Sequence, residues 1–159
     1  MQRFSKILLA GTGLVLLVGG QIALAQHMDM ARPGDGPDSR QLVHFPPILQ
    51  RQTLATMRMH LQGLAEIQQA LSEGRLNDAA QIATMNLGMS SMHGNQMEQE
   101  AKYMPPGMQQ FGAQLHQQAG EFALAAQDAA ATGDTKQPMV LLARMMQTCV
   151  ACHAAYRLR

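Results

Sequence analysis

Cys149-Val150-Ala151-Cys152-His153, near the end of a 159-residue chain, is the stretch on which the reading turns. Its two cysteines are the only ones present. A disulfide framework staples distant segments, and a pair three residues apart cannot do that. Three readings are left: a thioredoxin-like redox pair, half of a metal site, or haem attachment. Thioredoxin-like motifs sit early in a βαβ unit, at a helix N-terminus that lowers the thiol pKa. Here the pair lies late, inside a helical pattern. A structural zinc site needs about four Cys or His ligands, and no second cluster with suitable spacing follows or precedes. His153, directly after the second cysteine, selects the third reading, because C-x-x-C-H is the attachment signature of haem c. The spacing has a physical reason. Thiols three residues apart on a helix project to nearly one face, so each can add across one of two vinyl groups of a single macrocycle. His153 is one turn from Cys149 and can swing under the iron. The motif therefore predicts one covalently bound haem c on Cys149 and Cys152, with His153 as a ligand of its iron.

Working outward, the motif belongs to a predicted last helix from about Thr135–Pro138 to Arg157, with Leu142, Met145, Cys149, Cys152 and Tyr156 on its inner face. A third helix is expected from about Pro106 to Ala131. Met108, Phe111, Leu115, Phe122 and Ala126 trace its buried stripe, and Gly133-Asp134 ends it. A second begins near Asn77, a good N-cap residue, and includes Ala79, Ala80, Ile82, Ala83 and Leu87. Between Met89 and Pro106 the pattern is weakest, with room for a short helix around Gln96 to Lys102. In the first helix, from Pro47 to Leu71, the apolar positions are Leu54, Met57, Leu61, Leu64, Ile67 and Leu71. Steps of three and four mark one face. Pro47 suits a first helical position and Gly74 a C-cap. Aromatics are only 4% of the chain, which favours packed helices of Leu, Met and Ala over sheets. The expectation is an all-α domain, an antiparallel four-helix bundle spanning 45–159.

The beginning of the chain reads differently. Arg3 and Lys6 precede an apolar run from Ile7 to Val18, and Ala23-Leu24-Ala25 supplies the small-x-small pattern of signal-peptide cleavage before Gln26. An uncleaved anchor is the rival, but the run is short for a spanning helix. Residues 1–25 are thus expected to be a signal peptide that directs export to the periplasm, leaving no stable membrane insertion. Residues 26–44, rich in Gly, Pro, Asp and Arg, read as a flexible leader. The formal charge of +1 invites no nucleic acid. Cleavage would change it to about −1, which argues against a strongly charged docking surface and leaves room for a localised patch.

A single C-x-x-C-H on the last of four helices resembles the cytochrome c′ family, the class II c-type cytochromes. The tail Cys149-Val150-Ala151-Cys152-His153-Ala154-Ala155-Tyr156-Arg157 is similar to that family's usual ending, and Arg51-Gln52 resembles an Arg-Gln pair common in its first helix. The resemblance covers roughly residues 45 to 158. It implies a haem between helices at one end of a bundle, with His153 as proximal ligand. Arg157 would lie near the proximal side or a propionate, and Tyr156 along the macrocycle. The first helix would cover the distal face. The register implied by the Arg-Gln pair puts Ala55 there, and the register implied by the later Met and His puts Leu54. It also implies a candidate homodimer through the first two helices.

Met57 shares a face with Leu54, and a thioether can ligate haem iron. It is either the distal ligand of a low-spin site or packing in the distal pocket. His60 is either a sixth ligand or a surface histidine, and His116 either approaches a propionate or is solvated. His44 and His93 fall in expected loops. Met85, Met89, Met92, His93 and Met97 admit a copper(I) site, against the plainer reading of methionine as filler. The first expectation for function is one-electron transfer between periplasmic or membrane redox proteins. The second is binding of nitric oxide or carbon monoxide at five-coordinate iron. Catalysis ranks behind both, because no distal acid–base pair is convincingly placed, and the chain is not expected to be an enzyme.

Overall fold

A computed structural model describes residues 37–159 apart from Met92 and His93, and the side chains of residue 90 and residues 94–96 are likewise outside the description. The expected signal peptide, and the leader up to residue 36, also lie outside the described residues. Asp38–Arg159 form one compact unit.

Among the described residues the chain is all-α apart from one two-stranded ribbon. Strand β1 is Gln41–Val43. The helices follow as α1 Pro47–Ser72, α2 Leu76–Asn86, α3 Gly94–Ala101, α4 Pro106–Thr132 and α5 Lys136–Ala155, and strand β2 is Tyr156–Leu158. A 3₁₀ turn at Met89–Ser91 separates α2 from α3. Local chemistry sets these ends. Pro47 and Pro106 occupy first helical positions, where a missing N–H costs nothing. At the end of α1, Gly74 adopts φ +72. Its N–H reaches Leu71 O at 3.2 Å and that of Arg75 reaches Ala70 O at 2.8 Å, a Schellman closure.

Helix α1 packs on α2, α2 on α4 and α4 on α5, whereas direct packing between α1 and α5 is slight. The larger core joins all four: Leu64, Ile67 and Ala70 meet Ala79, Ala83, Leu87, Leu115, Phe122, Leu142 and Met145. A smaller core of Val43, Phe45, Leu49 and Met108 lies where the ribbon meets α1 and α4. No helix among the described residues is long and apolar enough to cross a membrane.

Three expectations need correction. The leader does not stay irregular to residue 44: β1 pairs in parallel with β2, Gln41 opposite Tyr156 and Val43 opposite Leu158, and Val43 is buried. Burial of Val43 and Phe45 outweighs the order given up there. Correspondingly α5 ends at Ala155, and Tyr156 and Arg157 belong to β2. On α1 the buried face runs through Leu49, Thr53, Leu64, Ile67 and Ala70, leaving Leu61 69% exposed. The apolar pattern missed this because Thr53 and Ala70 hold part of the face. Thr53 can be buried because its hydroxyl donates to Leu49 O at 2.9 Å. Two smaller shifts accompany these: α2 begins at Leu76 rather than behind an Asn77 cap, and Phe111 is only partly buried.

Candidate functional site

The ribbon, the start of α1, the start of α4 and the end of α5 enclose a cleft of about 290 Å³. Leu54 and Met57 line it from α1, Met108 from α4, and Cys152 and His153 from α5; Tyr156, Arg157 and Leu158 of β2 complete it with Arg40 and Gln50. Six of the residues singled out from sequence thus meet at one place. Cys149 does not line the cleft; it packs, partly buried, against the larger core, while Cys152 packs against the smaller one. Ala55 is exposed and outside the lining.

Tyr156 is held on two sides. Its ring meets Phe111 edge to face, with centroids 6.5 Å apart. Its hydroxyl sits over Gly107, where a Cβ would stand only 2.5 Å away. The glycine after Pro105-Pro106 therefore has a packing role beside its role as a break.

Charge collects at the rim. Arg40 forks onto Asp38, with Nε donating to Oδ1 at 2.9 Å and Nη2 to Oδ2 at 2.8 Å. Arg157 Nε lies 3.2 Å from the same Oδ2. Hydrogen bonding from Arg40 holds the Asp38 carboxyl down at about 2, with Arg157 assisting. Arg40 Nη1 also reaches His153 O at 3.4 Å, tying the rim to the end of α5.

The cysteines are free thiols, each partly buried. Burial pushes both pKa values up, and Cys149 raises that of Cys152 further. A thioredoxin-like pair needs the opposite shift at a helix N-terminus, and this pair sits at a C-terminus. Among the described residues, no three of His, Cys, Asp and Glu are grouped to hold a metal ion. The arrangement instead suits a largely apolar cofactor with anionic substituents. Leu54, Met57, Met108 and Leu158 supply apolar walls, Arg40 and Arg157 supply cations, and a thiol and an imidazole are available at one edge.

Comparison with family models, curated proteins and solved structures gave no match.

The other histidines are elsewhere. His60 is not in the cleft lining; its ring meets that of His116 edge to face at 5.7 Å. Burial, and secondarily His116, pushes the His60 pKa down to about 4, and its buried Nε2 has no hydrogen-bond partner. His116 Nδ1 lies 2.6 Å from Leu87 O, a tie to the end of α2 rather than an approach to the cleft. His44 is exposed beside β1. In the methionine-rich segment Met85, Met89 and Met97 are exposed, and Met92 and His93 lie outside the described residues.

Sequence reasoning missed Arg40, Gln50 and Leu158. Arg40 stood in the stretch taken as leader, and Leu158 lay beyond the expected helix end. Met108 was expected in the core, which it joins while also lining the cleft.

Proposed function

We propose that this chain is an exported mono-haem c-type cytochrome, akin to cytochrome c′, that carries single electrons between periplasmic or membrane redox proteins. One observation supports the reading above the others: the C-x-x-C-H motif ends at a cleft that Leu54 and Met57 of α1 also line. Cys149 and Cys152 would hold the cofactor through thioethers, and His153 would hold its iron. When bound, haem supplies a one-electron couple at that iron. Arg40 and Arg157 are suited to pair with propionates, and Asp38, held between them, keeps both in place. Tyr156, braced by Phe111, presents a flat apolar ring to the cleft. Met57 offers a thioether from α1, and apolar Leu54 lines the cleft beside it.

Helices α1, α2, α4 and α5, with short joins at residues 73–75 and 133–135, suit an antiparallel four-helix bundle in which the cofactor separates α1 from α5. The slight packing between those two helices supports that arrangement. Export rests on Arg3, Lys6 and Ala23-Leu24-Ala25.

The test is spectroscopic. Purified protein should hold covalent haem, seen as added mass on the denatured chain, and Cys149→Ala with Cys152→Ala should abolish it. A low-spin spectrum with a ferric Met–iron charge-transfer band, lost in Met57→Ala, is the expected result. A high-spin spectrum that changes on adding nitric oxide would instead favour the gas-binding reading, for which apolar Leu54 is the supporting residue. Retention of no haem by the wild-type chain sinks both.

A further inference from the structure

The charges of residues 38–159 cancel in number but not in place. The cleft gathers the first turns of α1 and α4 and the last turn of α5, so it marks one end of these helices. By helical rise, Ser72 lies roughly 22 Å beyond Met57 along α1, and Thr132 roughly 36 Å beyond Met108 along α4. Toward the cleft end stand Arg40, Arg51, Arg58, Arg157 and Arg159, with Arg144 at mid-height on α5. The other charged residues there are Asp38, already engaged by two arginines, and Glu98, Glu100 and Lys102 of the α3 segment. Toward the far end stand Glu66, Glu73, Asp78, Asp128 and Asp134, offset only by Arg75 and Lys136, while Glu121 lies at mid-height, level with Arg144. Residues 38–159, neutral in total, are therefore dipolar, with the positive pole at the cleft.

The outer face of α5 supplies a second, independent observation. Met139, Ala143, Met146, Val150 and Ala154 recur at steps of three and four, so they form one stripe. All are exposed, Val150 at 69%, while the opposite face of α5 packs on α4. The stripe ends beside Cys152 and His153. Helix α5 contains no acidic residue, and exposed Arg144 borders the stripe. An apolar centre with a charged rim of one sign is the make-up of a transient protein interface in which the rim steers and the centre holds.

We propose that the outer face of α5 from Met146 to Ala154, with the arginines around the cleft, docks a protein partner whose matching surface is acidic around an apolar centre. The proposal rests on the electron-carrier reading for its purpose, since docking here places a partner next to Cys152 and His153. Its physical basis, the segregated charge and the uncovered stripe, does not depend on that reading.

The test uses the purified full chain and a fluorescent poly-L-glutamate probe, with anisotropy read at low and at physiological salt. Binding at low salt is expected, weakening about tenfold as salt screens it. Arg144→Glu with Arg159→Glu should weaken it about tenfold at low salt, and Val150→Asp should weaken it too. Asp128→Lys with Asp134→Lys, at the far end, should leave it unchanged. No binding overturns the proposal. So does an equal and opposite response to the two charge reversals, which would report net charge rather than a face. Tighter binding to phosphatidylglycerol vesicles than to polyglutamate also overturns it, in favour of a membrane surface. Haem is scored separately by mass: binding lost with haem intact condemns the docking face alone, and haem absent with binding intact condemns the carrier reading alone.

Discussion

At the scale of single residues, His60 makes the sharpest demand on solution conditions. Its pKa falls from 6.5 to about 4 on folding, chiefly because burial disfavours the imidazolium. A histidine with a depressed folded pKa binds fewer protons in the native state than in the unfolded one. Stability from this group is therefore full above about pH 6.5 and is lost as pH falls toward 4. The loss should be on the order of 2 kcal/mol, allowing for partial solvent contact of the ring. Urea unfolding at neutral and mildly acid pH should show it, and His60→Gln should remove about that much of the acid sensitivity. An identical pH dependence in the variant would assign the effect to other groups. Nothing in the sequence marked His60 this way. A histidine on a helix reads as exposed, and only tertiary packing, which sets its ring against that of His116, strips its water. Cys152 and His153 were legible for the contrary reason: their chemistry depends on spacing along one helix, which the sequence states outright.

At the scale of elements, the informative departure is the β1–β2 ribbon. Composition marked residues 26–44 as leader because Gly, Pro and charge dominate them, yet Gln41–Val43 finds its partner in the last residues of the chain. Two three-residue strands hold little information locally, and parallel pairing between them requires segments from either end of the Asp38–Arg159 unit to meet. The bond from Arg159 N to Val43 O at 3.1 Å continues that meeting. If the ribbon contributes to folding, Val43→Ala should cost roughly 2 kcal/mol, as a buried apolar truncation does. Thermal unfolding of the haem-free and haem-loaded chains should both register it. A change within a few tenths of a kcal/mol would mean that the segment behaves as an unattached leader. The long helices were easier to read. Pro47 and Pro106 begin α1 and α4, and Gly74 and Gly133 follow the same two helices, where backbone chemistry acts locally.

At the scale of the whole molecule, one core joins α1, α2, α4 and α5, and Phe122 is its largest fully buried side chain. Phe122→Ala should therefore lower global stability by roughly 3–5 kcal/mol. Helicity followed by circular dichroism should fall in a single transition at a reduced denaturant midpoint. Loss of α4 signal alone, with the other helices retained, would contradict a shared core. The same scale governs the cleft. By itself the sequence determined the helical class, the starts of α1 and α4 at Pro47 and Pro106, and the spacing within Cys149–His153, because each depends on neighbours within a turn or so. Only the tertiary structure decided that Arg40 and Leu158 join Leu54, Met57 and Tyr156 around that constellation, and that the charge divides between two ends. It also limited the opening feature: Cys149 shares the motif but not the cleft lining. The physical reason is range. Helix periodicity and capping act within a turn or two, whereas which face is buried, which ends meet and which charges gather are settled by packing between segments far apart in the chain.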